Sequence, residues 1–198
     1  MRASEQERDD VKAARKQWIA SQGQWESGRL VFFDEAGAKT NMTRLRGRST
    51  KGQRVYDEVP HGRWSTTTML CSIRSDGTTA AMTLEGATTG EVFRAYVEQI
   101  LVPTLRCGDI FILDNLSCHK DKRALALIEA AGAQVRFLPP YSPDLNPIEK
   151  MWSKVKALLR GAKARSQETL FAAIGHALQS VNPQDAIGWF ASCGYSIN

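Results

Sequence analysis

The chain has 198 residues, of which 42% are hydrophobic and 24% charged, and its formal net charge is +5. This length suits one domain with a sizeable core and is too short for two full ones. The sequence contains neither an apolar run of about 20 residues that could span a membrane nor an apolar signal core, so we expect a cytoplasmic protein.

The beginning of the chain is predicted to be a helical arm. Residues 4–20 are charged with few apolar positions, so a helix there can bury little surface by itself and acts as a linker or a docking arm. We therefore expect residues 1–29 to form this arm and residues 30–198 to form one domain.

The first strands are predicted from short apolar runs. Leu30–Phe33 is an apolar run that ends at Asp34 and Glu35, which indicates a buried strand. Two threonine-containing runs then flank Asp76-Gly77, a strong turn signal. We expect a hairpin there that pairs with the first strand.

Strands and helices alternate in the second half of the chain. The apolar run Ile110–Leu113 ends at Asp114 and Asn115, and Val135–Leu138 is one more short strand. Helical spacing and capping residues predict helices over residues 88–101, 122–131, 147–160, 167–179 and 183–190. Three strands followed by βαβ units predict an α/β fold with one mixed central sheet flanked by helices.

Two acids follow buried strands of this predicted sheet. Taken singly, Asp34 or Asp114 could simply be the first solvated residue of the loop that follows a strand. Polar residues just past the carboxyl ends of strands nevertheless converge on one crevice in such sheets. Together with a third carboxylate they would suit Mg²⁺, which prefers carboxylate oxygens.

The stretch FLPPYSPDLNPIEKMW, residues 137–152, delivers that third carboxylate from a turn rich in proline. Residues 146–149 fit the N-cap to N3 positions of a capping box, in which Glu149 would only satisfy backbone donors of Asn146. A glutamate that caps cannot bind a metal at the same time, so the sequence leaves two functions open for Glu149. Asp144 is the nearest rival, although an aspartate after proline more often bonds its own turn.

The sequence contains two clusters of basic residues. They are weak evidence for a polyanionic partner, because ordinary solvated surfaces also carry such charges. They comprise Arg44, Arg46, Arg48, Lys51 and Arg54, and then Lys150, Lys154, Lys156, Arg160, Lys163 and Arg165. On the helix that begins near Glu149, Lys156 and Arg160 follow that acid along one stripe, while Ile148, Trp152, Val155 and Leu159 should pack on the sheet. We therefore predict DNA contacts from Arg44, Arg46, Arg48, Lys51, Lys156 and Arg160.

Three further residues are candidates for supporting roles. Asn115 adjoins Asp114, and Asn146 begins the helix that carries Glu149. His119 lies five residues after Asp114, although a single histidine at a helix start is commonly structural. Glu35 also adjoins an acid, but neighbouring side chains on a strand face opposite sides of the sheet. Trp64, Trp152 and Trp189 are expected in the core.

Three motifs resemble one family. VFFDEAG with Asp34, FILDNLSCHK with Asp114 and LPPYSPDLNPIEKMWSKVK with Glu149 are similar to the Asp, Asp, Glu triad of DDE transposases. The 34 residues between Asp114 and Glu149 match the bacterial insertion-sequence branch of the mariner superfamily. The resemblance extends from about Leu30 to the end of the chain.

This resemblance implies a ribonuclease-H-like fold and a metal-dependent DNA reaction. Asp34, Asp114 and Glu149 would be the catalytic residues and would hold Mg²⁺ or Mn²⁺, as two ions. Water would nick the element's ends, and the freed 3′-hydroxyl would attack target DNA. The expected partners are transposon-end and target DNA and further copies of the chain, in a bacterial cytoplasm and on the nucleoid.

Relatives in this family place helix-turn-helix modules before the catalytic domain, whereas only about 29 residues precede it here. The chain could therefore be a truncated remnant, or the second product of a split element whose upstream frame encodes the DNA-reading protein. A stand-alone metal-dependent nuclease and a non-catalytic DNA-binding or regulatory remnant stay open as alternative functions.

Overall fold

A computed structural model of the chain describes residues 4–196, which form a five-stranded mixed sheet covered by helices on both faces. The strands are β1 (Leu30–Lys39), β2 (Thr66–Arg74), β3 (Thr79–Glu85), β4 (Ile110–Leu113) and β5 (Gln134–Phe137). They are ordered β3-β2-β1-β4-β5, with β1 antiparallel to β2 and parallel to β4. The predicted hairpin and the mixed α/β sheet are thereby confirmed.

Six α-helices accompany the sheet in the described residues. They are α1 (Asp9–Gln22), α2 (Gly90–Tyr96), α3 (Lys122–Ala130), α4 (Pro147–Ala162), α5 (Gln167–Gln179) and α6 (Pro183–Ser192). Capping side chains fix several starts: the Thr89 hydroxyl accepts from the Val92 amide, and Asp121 accepts from the Ala124 amide. The α2 segment continues through a π-helical turn, Val97–Leu101, before the chain enters β4.

The first strand is longer than its apolar run predicts, which places Asp34 and Glu35 inside β1 and not after it. The reason is its two unequal partners. The antiparallel pairing with β2 continues to Lys39, whereas the parallel pairing with β4 ends at Phe32. Asp34 therefore lies in a strand that has already passed the end of β4.

The two faces of the sheet have different helical layers. Phe32 points into a core formed with α4, α5 and α6, and its neighbour Phe33 points into a core formed with α2 and α3. The predicted apolar stripe of α4 is buried as expected, with Trp152 only 2% exposed. Trp64, in contrast, is 54% exposed in the irregular segment between β1 and β2, so its assignment to the core is wrong.

The arm that precedes β1 packs against the rest of the protein. Val11 and Trp18 of α1 are buried, and the Trp18 indole donates to the Tyr195 hydroxyl at 3.0 Å. Within residues 4–196 no helix combines the length and apolarity needed to cross a membrane.

Candidate active site

Sheet register brings Asp34 and Asp114 to the same level of two neighbouring strands. Phe32 of β1 is paired with Ile112 of β4; Asp34 lies two residues further along β1, and Asp114 lies two residues after Ile112, just past the end of β4. Side chains two apart share a face, and neighbouring strands are about 4.8 Å apart. Both aspartates therefore extend the row formed by Phe32 and Ile112, on the face covered by α4.

Glu149 reaches the same place from the first turn of α4. Asp34, Asp114 and Glu149 all line one cleft of about 460 Å³, together with most residues of the proline-rich turn at residues 139–146. Asn146 is the N-cap of α4 and Pro147 its first residue, as predicted. The Asn146 amide, however, donates to the Pro143 carbonyl at 3.1 Å, and its side chain makes no capping bond. The capping box of side chains is thus absent, and the Glu149 carboxylate faces the cleft.

His119 joins two carboxylates beneath the cleft. Its Nδ1 lies 2.6 Å from Oδ1 of Asp114, and its Nε2 lies 2.7 Å from Oε2 of Glu35. The ring is fully buried and packs edge-on against Phe33. The charge-assisted bond to Asp114 restrains that carboxylate, and the bond to Glu35 restrains the ring.

The alternation of side chains along a strand correctly predicts that Glu35 lies on the opposite face of the sheet from Asp34. Nothing in the sequence indicates that a histidine from another loop lies there. The link between Glu35 and Asp114 through His119 is therefore a feature that the sequence analysis missed.

The pKa values of the site divide the carboxylates into two kinds. Burial and the nearby Glu149 charge raise the pKa of Asp34 to about 7, and Asp114 adds to this effect. Burial and Asp114 also raise the pKa of Glu149, against the opposing charge of Lys156. Burial alone would raise the pKa of Asp114, but hydrogen bonds from His119 and the Leu116 amide lower it. Burial alone would lower the pKa of His119, but the hydrogen bonds to Asp114 and Glu35 raise it to about 9, which favours the protonated ring at neutral pH.

The donor set in the cleft fits a divalent cation. In the part of the chain that the structure describes, neither Asp34 nor Glu149 forms an ion pair with a lysine or arginine, and the Glu149 charge raises the pKa of Asp34. Asn146 lines the same cleft, and its Oδ1 is buried without a hydrogen-bond partner. Two carboxylates that form no ion pair, beside a third carboxylate and an unsatisfied amide oxygen, are ligands that suit Mg²⁺ or Mn²⁺.

A second group of potential ligand atoms, on Glu35, Cys118 and His119, lies within 4.8 Å but fits a cation less well. Both ring nitrogens of His119 are already engaged with carboxylates at 2.6 and 2.7 Å. An ion there would have to displace one of these bonds.

The remaining candidates have distinct places. The Asn115 amide donates to the Leu138 carbonyl, which ties the end of β4 to the end of β5. The Asp144 carboxylate forms an ion pair with Arg15 of α1 and does not line the cleft. Asp144 is thus structurally separate from the three converging acids.

The predicted DNA-contacting residues occupy two neighbouring regions. Arg44, Arg46, Arg48 and Lys51 are exposed in the segment between β1 and β2, and Lys156 and Arg160 are half-buried on α4. The Arg44 side chain lies beside α4. Its guanidinium is close enough to Gly161 that a Cβ atom added to that glycine would lie 3.5 Å from it. Three other members of the second basic cluster form bonds within the fold: Lys154 pairs with Asp185, Lys163 pairs with Asp57, and Arg165 donates to the carbonyls of Thr40 and Met42.

Several solved structures share this architecture. The Mos1 transposase paired-end complex with left transposon end matches with a TM-score of 0.74 at 14% identity, over 98% of this chain and 61% of that one. The Mos1 transposase catalytic domain with Raltegravir and Mg gives a TM-score of 0.66 at 13% identity, over 98% of this chain and 92% of that one. The catalytic core domain of BIV integrase gives 0.50 at 17% identity, over 77% and 82%.

These likenesses establish the fold, a ribonuclease-H-like α/β sheet, as the three motifs imply. The chain spans about three fifths of the length of the first Mos1 chains that it matches. No curated protein sequence matches it. A family model described as DDE superfamily endonuclease matches residues 29–171, which include Asp34, Asp114 and Glu149. The chain therefore belongs to the DDE superfamily of endonucleases.

Proposed function

We propose that the chain is the catalytic domain of a transposase, from the bacterial insertion-sequence branch of the mariner superfamily, that cleaves and joins DNA strands. One observation carries the proposal. Three carboxylates from β1, the end of β4 and the start of α4 line one cleft, and two of them, Asp34 and Glu149, form no ion pair with a basic side chain among the described residues. Such a set is electrostatically unfavourable unless a cation joins it.

In this proposal Asp34, Asp114 and Glu149 hold two Mg²⁺ or Mn²⁺ ions. A pair of such ions, when bound, activates the attacking oxygen and stabilises the leaving oxygen of a phosphoryl transfer. The protein's own contribution is placement. His119 restrains Asp114 with a 2.6 Å hydrogen bond, and the 139–146 turn sets where Glu149 begins α4. Asn115 supports the same edge through Leu138, and the unsatisfied Asn146 Oδ1 is available to a ligand or a bound water.

DNA would cross the cleft along the exposed basic residues. We propose that Arg44, Arg46, Arg48 and Lys51 bind phosphates without reading sequence, and that Lys156 and Arg160 continue this surface on α4. The contact of Arg44 with the Gly161 region supports one continuous basic strip.

The wider assembly is also a proposal. Residues 1–29 act as an arm and residues 30–198 as the catalytic unit, on the nucleoid of a bacterial cell. Joining two transposon ends calls for at least two catalytic domains, so we propose a homo-oligomer on DNA. We further propose that an upstream helix-turn-helix protein of the same element reads the terminal repeats.

The test is incubation of the purified chain with duplex DNA that contains the element's ends, in Mg²⁺ or Mn²⁺, alone and fused to an upstream DNA-reading product. Metal-dependent nicking and strand joining should disappear in Asp114→Asn and Glu149→Gln. Glu129→Gln, which alters an exposed carboxylate of α3, is the matched control.

Each alternative gives a different outcome of this experiment. Cleavage without joining would favour a stand-alone nuclease over a transposase. DNA binding without any metal-dependent cleavage would favour a regulatory remnant. Unimpaired cleavage by Asp114→Asn and Glu149→Gln would overturn the assignment of the three acids.

A further inference from the structure

The turn at residues 139–146, which leads from β5 into α4, has little internal support. Tyr141 within it has a φ of 54°, a left-handed conformation that residues other than glycine rarely adopt. Its internal bonds are all short-range: the Leu145 amide donates to the Ser142 carbonyl and the Asn146 amide to the Pro143 carbonyl, both at 3.1 Å, and the Ser142 hydroxyl donates to the Pro140 carbonyl at 3.0 Å. The helix that follows has no side-chain cap. The position of the turn must therefore be set by other parts of the chain.

Arg15 of α1 is the main outside support. Its guanidinium donates to both carboxylate oxygens of Asp144, at 2.9 and 2.6 Å, and to the Ser142 hydroxyl at 2.8 Å. That hydroxyl donates onward to the Pro140 carbonyl at 3.0 Å. The Arg15 side chain is only 14% exposed, although it carries a charge. A planar fork bound at three points restricts both the distance and the orientation of the turn.

Both ends of the chain add to this support. The Gln6 side-chain amide donates to the Tyr141 carbonyl, the residue with the left-handed backbone. From the other end, the Tyr195 hydroxyl donates to the Leu145 carbonyl at 2.8 Å and accepts from the Trp18 indole. The α1 arm thus reaches the turn directly through Arg15 and indirectly through Trp18.

Glu149 is placed by this turn, since it stands three residues after the N-cap Asn146. A shift or rotation of the turn would move the start of α4 and carry the Glu149 carboxylate away from Asp34 and Asp114. We propose that Arg15 is a positioning residue of the active site, which holds the 139–146 turn so that Glu149 can share a cation with the two aspartates. This inference rests on the proposed function, because it takes Glu149 as a metal ligand.

The test measures Mn²⁺ binding and backbone exchange in the full chain without DNA. Arg15→Ala should weaken Mn²⁺ binding by about tenfold, the effect typical of residues that orient a metal ligand. In the same variant, hydrogen exchange should accelerate at the amides of Leu145, Asn146 and Glu149, while exchange in β1 and β2 stays as in the wild type. Arg15→Lys keeps the positive charge but loses the planar guanidinium. Its Mn²⁺ affinity and its amide exchange rates should lie between those of the wild type and those of Arg15→Ala.

Arg29→Ala is the matched control, because Arg29 also pairs with a carboxylate, that of Glu26, but lies exposed just before β1, and its other side-chain bond among the described residues goes to the Cys107 carbonyl and not to the turn. It should bind Mn²⁺ as the wild type does. If Arg15→Ala does not fold, Asp144→Asn carries the test, since it removes the ion pair at an exposed site and keeps the buried guanidinium.

The outcomes separate this inference from the proposed function. Wild-type Mn²⁺ affinity and wild-type exchange of the turn in Arg15→Ala, with weakened binding in Asp114→Asn and Glu149→Gln, would overturn the role of Arg15 alone. A lower melting temperature with unchanged Mn²⁺ affinity of the folded variant would make Arg15 merely structural and also overturn it. Undiminished binding in Asp114→Asn and Glu149→Gln would instead overturn the metal site itself.

Discussion

Replacing His119 by leucine tests the buried connection behind the active site. The substitution removes two charge-assisted hydrogen bonds, of 2.6 Å to Asp114 and 2.7 Å to Glu35, from a fully buried ring. Bonds to charged groups contribute about 1.5–3 kcal/mol each. Because the Asp114 and Glu35 side chains are 39% and 20% exposed, solvent screening reduces their sum, and we expect a loss of about 3 kcal/mol.

This loss should appear in the thermal unfolding of the metal-free protein. For a chain of this size each kcal/mol lowers the melting temperature by about 2–4 °C, so His119→Leu should melt about 6–12 °C below the wild type. The assay is calorimetry or circular dichroism in EDTA. His176→Leu, which alters an exposed histidine of α5, is the control and should melt with the wild type.

The difference should also depend on pH in a defined direction. The pKa of His119 is raised from 6.5 to about 9 in the folded protein, so its contribution is complete below 6.5 and is lost as the pH rises through 9. The pKa of Asp114 is lowered, so its contribution holds above the ordinary value of 3.8 and is lost as the pH falls. The gap between wild type and variant should therefore be widest between 3.8 and 6.5. A variant that melts within about 2 °C of the wild type in that range would refute the reasoning.

Three more predictions concern other parts of the molecule. Since the pKa of Asp34 is raised to about 7, its carboxyl should be partly protonated at neutral pH. Mn²⁺ affinity should therefore rise with pH, and Mn²⁺ binding should release protons. Calorimetry in buffers of different ionisation enthalpy would detect the released protons, and Mn²⁺ binding that does not depend on pH would contradict the prediction. Trp152→Ala should lower the free energy of unfolding in urea by about 3–5 kcal/mol because the indole is buried under the sheet; a loss below about 1 kcal/mol would contradict that packing. Replacing Arg44, Arg46 and Arg48 together by alanine should reduce the slope of log affinity for DNA against log salt concentration by about 0.9 for each phosphate that the variant no longer neutralises. Fluorescence anisotropy measures this slope, and an unchanged slope would mean that these residues do not contact DNA.

The three acids of the candidate site could be predicted from the sequence because they lie at the ends or beginnings of predicted elements. Apolar runs before Asp34 and Asp114 predict strands, and the register of β1 and β4 then brings the two acids level. The prolines and Asn146 predict where α4 begins, and so where Glu149 is delivered. Local sequence patterns were sufficient to predict these three acids, because each apolar run or helix start ends close to the acid concerned.

The support of the site depends on contacts between residues far apart in sequence, and local patterns contain no record of them. Glu35 and His119 are 84 positions apart, and Arg15 and Asp144 are 129 apart. The same limit explains the length of β1, which β2 extends beyond its apolar run. It also explains Trp64, whose exposure depends on the path of an irregular segment.

The most direct test of the central claim is a crystal of the chain soaked in MnCl₂, with anomalous diffraction recorded for manganese. The account predicts anomalous density in the cleft, bonded to carboxylate oxygens of Asp34, Asp114 and Glu149. Density beside Glu35, Cys118 and His119 instead, or a Glu149 carboxylate turned back onto the Asn146 backbone, would contradict it.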